Sequence, residues 1–169
     1  MKPKFTLLGG QDRAAFSCGK PDLDNYLKTQ ASQDMRRQLA ACHVLIDQDH
    51  PSHIIGYYTL STADVAFTDL PHEMRKKAGR YKAVPAILLG RLAVNINFQG
   101  QGIGKVLLVD ALRRTLDLSA QVGIMLFIVD ALEESVVTFY EKYEFRRFDT
   151  HPMRLYLPIT KVRDMFTTP

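Results

Sequence analysis

Hydrophobic and polar positions along the chain follow two periods, one typical of strands and one typical of helices. Apolar runs bounded by polar or turn-forming residues predict buried strands, and polar residues spaced three and four apart between residues 110 and 121 predict a helix with one polar face. The pattern predicts strands at Phe5–Leu8, Cys42–Ile46, Ile54–Leu60, Ala86–Val94 with a break at Gly90, Ile124–Val129 and Met153–Leu157, a helix opening at Pro21, and helices at Pro71–Gly79, Gly104–Ala120 and Glu133–Tyr143.

The order of these elements indicates the class of fold. A polar stretch over residues 47–53 joins two strand-like runs, which predicts an early hairpin. Strands alternate with helices later in the chain, as in mixed and parallel sheets. We therefore predict an α/β (α+β) fold with a mixed central sheet flanked by helices. No repeat, low-complexity tract or long linker divides the chain, so we expect one domain over residues 1–169.

Composition narrows the class of protein. The chain has 169 residues, 46% of them hydrophobic, and a chain of this length buries roughly two-thirds of the surface that its unfolded form exposes. Its longest apolar run, Ile124–Val129, is far shorter than the ~20 residues that span a bilayer. Met1–Phe5 is charged and no apolar stretch follows it, so we expect a cytoplasmic protein. Cys18 and Cys42 show neither CxxC spacing nor a paired histidine, so we expect reduced thiols and no metal site.

The positive charge of the chain is concentrated in one segment. Residues 71–91 hold six basic side chains and one acidic one, a net of +5, whereas the whole chain has a net charge of +4. Proline at the start and glycine past the end predict a short helix over Pro71–Gly79, which would display its cations. On this observation alone, a solvated surface that keeps the protein soluble is the commoner explanation, although a pI of about 9.1 permits a nucleic-acid partner.

The stretch Leu92–Lys105 runs from a strand into a glycine-rich turn that opens the long helix. Its glycines, at positions 100, 102 and 104, let the backbone approach a phosphate, and N–H groups at the helix start point toward such a ligand. A Walker A loop would need glycine at 99 and serine or threonine at 106, where this chain has Gln99 and Val106. The dinucleotide fingerprint needs its third glycine three positions after the second, whereas two separate them here. The turn therefore predicts another kind of anion site.

The remaining pattern, Gln-x-x-Gly-x-Gly over Gln99–Gly104, resembles the pyrophosphate loop of the GNAT superfamily of acyl-CoA N-acyltransferases. In that family the pantetheine arm of acetyl-CoA lies between two parallel strands that separate at a bulge. The resemblance places these strands at Ile87–Val94 and Ile124–Asp130, with the break at Gly90. It implies acetyl-CoA as co-substrate and no metal. The implied acetyl-CoA-binding residues are Leu92, Ala93, Val94, Gln99, Gly100, Gln101, Gly102, Ile103, Gly104 and Lys105.

A second match to the family follows the last long apolar run. The segment Val136–Phe145 looks like the family's Phe-Tyr…Gly-Phe segment, which makes Tyr140 the matching position for the general acid that protonates the departing thiolate. A phenol with an ordinary pKa of ~10 is protonated at neutral pH and can supply that proton. From spacing alone, a core aromatic residue is the commoner explanation. The chain departs from the family at Glu133, where many relatives have a cofactor-contacting asparagine, and at Glu144, where they have glycine.

A narrower resemblance covers almost the whole chain. Phe16–Gly19, Leu23–Leu27, Gly56–Ser61, Leu89–Val94, Gln99–Gly104 and Leu155–Pro158, in this order, are similar to segments of the acetyltransferase toxins of bacterial toxin–antitoxin pairs. This resemblance implies acetylation of the free α-amino group of aminoacyl-tRNA, which blocks translation, neutralisation by a ribbon-helix-helix antitoxin, and a homodimer. It also gives the cations a role on tRNA phosphates. The candidate tRNA-binding residues are Lys28, Arg36, Arg37, Arg75, Lys76, Lys77, Arg80, Lys82 and Arg91.

Two other functions stay open at this stage. One is a GNAT enzyme that acetylates a small amine or a protein N-terminus, although the basic segment argues mildly against polyamines. The other is a non-catalytic module that binds acetyl-CoA or RNA, against which the intact glycines and Tyr140 argue. An α-amine titrates near ~8, so an appreciable fraction is neutral at physiological pH and we assign no general base.

Overall fold

The structure, a computed structural model, describes residues 1–167. These residues form seven strands and six α-helices. The strands are β1 Pro3–Leu7, β2 Ala41–Asp47, β3 His50–Ala66, β4 Ala83–Val94, β5 Leu126–Asp130, β6 Arg146–Arg147 and β7 Arg154–Pro158. The helices are α1 Pro21–Asn25, α2 Ala31–Arg36, α3 His72–Ala78, α4 Ile103–Ser119, α5 Glu134–Glu141 and α6 Ile159–Thr167, with a π-helical turn, Tyr26–Gln30, joining α1 to α2.

The strands are hydrogen-bonded in the order β1-β2-β3-β4-β5-β7-β6. β4 and β5 are parallel, whereas β1 and β2, β2 and β3, β5 and β7, and β6 and β7 are antiparallel. The predicted mixed sheet and its flanking helices are therefore confirmed. None of the helices within residues 1–167 combines the length and apolar composition needed to cross a membrane.

The chain divides into two compact units. The first comprises Met1–Ser61 and Gly90–Ala111, and the second comprises Thr62–Leu89 and the chain from Leu112 onward. The prediction of one domain over residues 1–169 stays a prediction.

In the first unit, an apolar core lies against β2 and β3. Tyr57 is fully buried, packs edge-on against Phe16 and donates a hydrogen bond of 2.7 Å to the carbonyl oxygen of Leu23. Gly56 makes room for α4, because a Cβ atom there would lie 2.9 Å from a methyl carbon of Leu107. This core fixes the strand and helix that flank the glycine turn.

In the second unit, the core surrounds strand β5, whose residues Leu126–Val129 are buried and whose last residue, Asp130, is exposed. The parallel ladder of β4 and β5 runs from Ala86 opposite Leu126 to Leu89 opposite Val129. A long apolar run is expected for a strand with neighbours on both edges and side chains buried on both faces, which explains why this strand was visible in the sequence. The core residues of this unit include Val65, Leu70, Met74, Val84, Ile128, Phe148 and Tyr156.

Two details of the predicted elements are wrong. The polar stretch between the first two long strands is shorter than predicted, since β3 already begins at His50. β4 is one continuous strand, so Gly90 does not interrupt it, although the ladder between β4 and β5 ends at Leu89, just before the position at which the two strands were expected to separate. A Cβ atom at Gly90 would lie 3.1 Å from the hydroxyl oxygen of the buried Thr59, so the glycine accommodates that side chain. The sequence analysis also missed β6 and α6.

Candidate active site

The glycine turn is open and lined by backbone amides. Gly100 and Gly102 have φ angles of 75° and 80°, and a Cβ atom added at either would meet nothing within 4 Å. Helix α4 begins directly after the turn, and the N–H of Val106 donates to the carbonyl oxygen of Gly102 at 3.2 Å. The N–H groups of residues 103–105 precede that bond and have no acceptor within the helix. The turn therefore has the shape and the donors that a diphosphate requires.

The side chains around this turn take different roles. Gln101 and Lys105 are exposed, whereas Ile103 is buried. Gln99 donates its side-chain amide to two backbone carbonyl groups, at 2.8 Å to Cys18 and 2.9 Å to Val94. Both N–H groups of the Gln99 side chain are therefore engaged within the protein, and the predicted role of Gln99 in binding acetyl-CoA falls to its backbone N–H and stays a prediction.

At the end of β4, only part of the predicted donor site is accessible. The side chain of Ala93 is buried in the core of the first unit, while Leu92 and Val94 are half-buried. Neighbouring side chains of a strand point to opposite faces, so Leu92 and Val94 share one face and Ala93 lies on the other. Ala93 can therefore offer a ligand its backbone groups but not its side chain.

Tyr140 lies on the buried face of α5. Its ring is 5% exposed and packs against Phe139 and Phe145, with ring centres 5.1 Å and 5.3 Å away. Within residues 1–167 the Tyr140 hydroxyl makes no hydrogen bond. Every fully buried side-chain oxygen of these residues has a hydrogen-bond partner, so the Tyr140 hydroxyl oxygen is accessible from the surface. Burial raises the pKa of Tyr140 above its ordinary value of 10.0, so the phenol is protonated at neutral pH. A held, protonated and unpaired hydroxyl suits a general acid.

The helix that carries Tyr140 is fixed at both ends. Arg147 donates to Glu134 at 3.0 Å and to Glu141 at 3.3 Å, which ties α5 to β6. Glu144, at the position where the family has glycine, has a φ angle of 71°. The turn after α5 therefore keeps the left-handed backbone although the glycine is absent. Glu133 occupies the N-cap of α5, and its side chain does not cap the helix.

The basic segment around α3 presents its cations to solvent. Met74 and Ala78 are buried, and the helix ends at Gly79, whose φ angle is 60°. Arg75 differs from the other cations because it donates to the carbonyl oxygens of Leu70 at 3.1 Å and Thr68 at 3.3 Å. The exposed cations of this segment whose side chains form neither an ion pair nor a hydrogen bond with residues 1–167 are Lys76, Lys77, Arg80 and Lys82.

Tyr81 stands among these cations and was missed by the sequence analysis. Its side chain is 74% exposed. The backbone on both sides is held, because the N–H of Tyr81 donates to Ala78 at 3.2 Å and the carbonyl oxygen of Lys82 accepts from Phe67 at 2.8 Å. An aromatic residue between Arg80 and Lys82 is the sequence pattern that could have made Tyr81 a candidate, since RNA-binding surfaces combine stacking rings with cations.

The remaining cations belong to the first unit. Lys28, Arg36 and Arg37 are exposed along the π-helical turn, α2 and the residue after it. Arg91 is half-buried and stacks on Tyr26, with its guanidinium carbon 3.5 Å from the ring centre. Arg91 therefore differs from the freely exposed cations with which the sequence analysis grouped it.

Comparison with known proteins identifies the family of the chain. A family model described as an acetyltransferase (GNAT) domain matches residues 39–147. The chain belongs to the GNAT acetyltransferase family. The match includes the glycine turn, α5 and Tyr140, and it confirms both the fold expected from the resemblance and an acetyltransferase activity.

Two curated GNAT relatives are similar over nearly their whole length. The chain is 29% identical to the probable toxin TacT of Sinorhizobium fredii (strain NBRC 101917 / NGR234) over 161 residues, which cover 91% of this chain and 88% of that protein. It is 33% identical to the tRNA-acetylating toxin of Mycobacterium tuberculosis (strain ATCC 25618 / H37Rv) over 152 residues, covering 90% and 89%.

Solved structures of GNAT toxins are also similar. AtaT complexed with acetyl-methionyl-tRNAfMet matches with a TM-score of 0.90 and 28% identity, covering 98% of this chain and 100% of that one. A tyrosine-to-phenylalanine mutant of the AtaT toxin, bound to the C-terminus of the antitoxin AtaR and acetyl-CoA, matches with a TM-score of 0.86 and 26% identity, covering 99% and 100%.

The two thiols of this GNAT domain are buried and protonated. Both cysteines are free and buried. Burial raises the pKa of Cys18 to about 11 and that of Cys42 to about 12, so both are protonated at neutral pH. Within residues 1–167 no three histidine, cysteine, aspartate or glutamate side chains lie close enough together to hold a metal ion.

Proposed function

We propose that this GNAT enzyme transfers acetyl from acetyl-CoA to the free α-amino group of aminoacyl-tRNA and thereby blocks translation. The observation that carries the proposal is the likeness, over 98% of this chain, to AtaT holding acetyl-methionyl-tRNAfMet. The open glycine turn and the unpaired hydroxyl of Tyr140 support it, since they are the groups that a thioester donor and its leaving thiolate require.

The donor binds through backbone groups in this proposal. The N–H groups of residues 99–105 take the pyrophosphate, because Gly100 and Gly102 leave space in front of them. The backbone at Leu92, Ala93 and Val94 takes the pantetheine arm, and Lys105 adds a nearby exposed positive charge. Acetyl-CoA supplies the activated acetyl group, and this chain supplies its orientation.

The transfer is direct in this proposal. The neutral α-amine attacks the thioester carbonyl carbon, a C–N bond forms and the C–S bond breaks. Backbone N–H donors near Val94 stabilise the oxyanion, and Tyr140 donates its proton to the departing sulfur. The proton lost by the attacking amine goes to water, and Tyr140 is reprotonated from solvent. No general base is assigned, because an α-amine with a pKa of ~8 is partly neutral at physiological pH.

The tRNA is held by charge and by stacking. Lys76, Lys77, Arg80 and Lys82 are exposed and unpaired within residues 1–167, so they can neutralise phosphates. Lys28, Arg36 and Arg37 extend the set. Tyr81 adds a ring on which an unpaired base can stack. Arg75 and Arg91 contribute mainly by supporting the structure, because Arg75 holds the backbone at Leu70 and Arg91 packs on the ring of Tyr26.

The partners follow from the same relatives. We propose an antitoxin that neutralises this toxin, which the structure of AtaT bound to the C-terminus of the antitoxin AtaR supports. The ribbon-helix-helix class of this antitoxin rests on the family resemblance of the sequence. A homodimer, one GNAT domain over residues 1–169 and a cytoplasmic location, where tRNA is aminoacylated, complete the proposal.

A transfer assay tests the function. Labelled acetyl-CoA is incubated with total aminoacylated tRNA, and deacylated tRNA, spermidine and a peptide with a free N-terminus are run in parallel. Label on charged tRNA alone is expected. Label on spermidine or the peptide alone would instead favour an acetyltransferase of small amines or protein N-termini, and binding of acetyl-CoA without transfer to any acceptor would favour a non-catalytic module.

A further inference from the structure

The residues just before the glycine turn are hydrogen-bonded to a segment near the start of the chain. The N–H of Ile96 donates to the carbonyl oxygen of Ser17 at 2.7 Å, and the side-chain amide of Gln99 donates to the carbonyl oxygen of Cys18 at 2.8 Å. Residues 17 and 18 therefore hold both ends of the short connection, residues 96–99, that leads from β4 into the turn.

The side chain of Gln99 has no donor left for a ligand. An amide nitrogen carries two hydrogens, and those of Gln99 point at the carbonyl oxygens of Cys18 and Val94, the latter at 2.9 Å. One side chain thus joins three stretches of backbone: the N-terminal segment, the end of β4 and the start of the turn.

The N-terminal segment is itself fixed by helix α1. One carboxylate oxygen of Asp24 accepts from the backbone N–H of Cys18 at 2.8 Å, and the other accepts from the hydroxyl of Ser17 at 3.5 Å. Asp24 therefore supports the carbonyl groups of Ser17 and Cys18 that face the turn. The support is continuous from α1 to the glycine turn and lies entirely within the first unit.

The turn needs such support because its own residues provide little. A Cβ atom at Gly100 or Gly102 would meet nothing within 4 Å, so no packed side chain lies in front of these positions. The exposed side chain of Gln101, between them, makes a long hydrogen bond of 3.4 Å to the carbonyl oxygen of Asn97. Glycine also has the largest backbone freedom of any residue. Binding a pyrophosphate with backbone N–H groups is favourable only if those groups are already oriented, since ordering them during binding costs affinity.

We propose that Gln99 is a positioning residue for the donor substrate, held in turn by Asp24 through residues 17 and 18. Its side chain pre-organises the N–H groups of the glycine turn and does not contact acetyl-CoA. The inference rests on the proposed binding of acetyl-CoA at this turn.

Three variants test the inference. Gln99→Ala removes both hydrogen bonds, Gln99→Glu keeps the size of the side chain but replaces the donor by a carboxylate, and Asp24→Ala removes the support at the far side of residues 17 and 18. Gln121→Ala is the matched control, because Gln121 is exposed and makes no side-chain hydrogen bond within residues 1–167. The measurements are the Kd for acetyl-CoA by calorimetry, kcat at saturating acetyl-CoA, and amide hydrogen exchange of residues 96–105 without ligand.

The expected result is a split between binding and turnover. Loss of two hydrogen bonds should raise the Kd of Gln99→Ala for acetyl-CoA about tenfold, with Gln99→Glu affected at least as strongly and Asp24→Ala in the same direction. kcat at saturation should stay within about twofold, and exchange of residues 96–105 should accelerate in the unliganded variants. The control should match the wild type in all three measurements.

Two outcomes would overturn the inference, and a third would overturn its basis. An unchanged Kd for Gln99→Ala would show that the side chain does not matter for the donor. A raised Kd with unchanged hydrogen exchange would show a direct contact between Gln99 and acetyl-CoA. Failure of the wild-type protein to bind acetyl-CoA would instead contradict the proposed function.

Discussion

The guanidinium carbon of Arg91 lies over the ring of Tyr26, 3.5 Å from the ring centre, and the hydroxyl of that ring donates to Asp34 at 2.7 Å. The contact lies at the π-helical turn between α1 and α2. Because the side chain of Arg91 makes no hydrogen bond or ion pair within residues 1–167, the ring is its principal partner. The contact explains why this arginine, in the strand that leads to the donor site, is half-buried and not fully exposed.

Arg91→Ala should therefore weaken the fold more than it weakens tRNA binding. Loss of the cation–π contact and of the packed side-chain stem should lower the free energy of unfolding by about 1 kcal/mol, measured by urea denaturation. Lys28→Ala, at an exposed cation of the same unit, is the control and should leave stability unchanged. An Arg91→Ala protein of normal stability with strongly reduced tRNA affinity would show that Arg91 is a phosphate ligand.

Tyr140→Phe tests the general acid. The substitution keeps the buried ring and removes the hydroxyl, so acetyl-CoA affinity should persist while kcat falls ~100-fold or more. Tyr143→Phe is the control, because Tyr143 lies just beyond the same helix and packs on the same Phe139 ring. Normal turnover of Tyr140→Phe would exclude the role.

The pH profile gives an independent test of Tyr140. The acid must be protonated to act, and burial raises its pKa above 10.0. The rate should rise as the α-amine of the acceptor loses its proton near pH ~8, and it should then stay level to pH ~10 because the phenol keeps its proton. Short reaction times limit hydrolysis of the aminoacyl ester. A decline beginning near pH 9 would contradict a buried phenol as the acid.

Salt dependence separates the two kinds of tRNA contact. Replacing both Lys76 and Lys77 by alanine should reduce the slope of log K against log salt by about 1.5, since each phosphate contact releases counterions. Tyr81→Ala should weaken tRNA binding about tenfold at every salt concentration, with an unchanged slope, because stacking involves no counterion. Tyr81→Phe should restore the affinity. Wild-type affinity for Tyr81→Ala would make the ring ordinary surface.

Glu144→Gly should stabilise the protein. Glu144 has a φ angle of 71°, a conformation that costs a residue with a Cβ atom about 1–2 kcal/mol. Glycine removes this cost but gains freedom in the unfolded chain, so the net increase in the free energy of unfolding should be about 0.5–1 kcal/mol. Glu144→Ala, which keeps the Cβ atom, should change stability by less than about 0.5 kcal/mol. Equal effects of the two substitutions would contradict backbone strain at this position.

The sheet and the glycine turn could be predicted because their signals are local. The buried residues of β5 are buried on both faces, so they form an uninterrupted apolar run in the sequence. The turn combines three glycines with the start of an amphipathic helix. The family confirmed by the match over residues 39–147 was accessible for the same reason. β6 was missed because a two-residue strand of arginines gives no periodic signal. α6 does carry a helical period, with the buried Ile159 and Val162 three positions apart, but it begins directly after β7 and was not separated from that strand.

The roles of individual side chains could not be predicted, because they depend on contacts between distant parts of the chain. Gln99 and Cys18 are 81 positions apart, so nothing near Gln99 in the sequence indicates that its side chain is engaged. In the sequence, Arg75 and Arg91 do not differ from their basic neighbours. In the structure, Arg75 donates to backbone carbonyl groups and Arg91 packs on the Tyr26 ring. A sequence shows which residues are charged, but it does not show which distant residues these side chains contact.

The site of acetylation on the acceptor tests the central claim most directly. Aminoacylated tRNA is treated with the protein and acetyl-CoA, digested with nuclease, and the aminoacyl-adenosine released from its 3′ end is analysed by mass spectrometry, with the Tyr140→Phe protein in parallel. The account predicts one added acetyl group on the α-amino nitrogen of the aminoacyl moiety with the wild type, and little or none with the variant. Aminoacyl-adenosine that stays unmodified, although the protein binds acetyl-CoA and acetylates another amine, would contradict it.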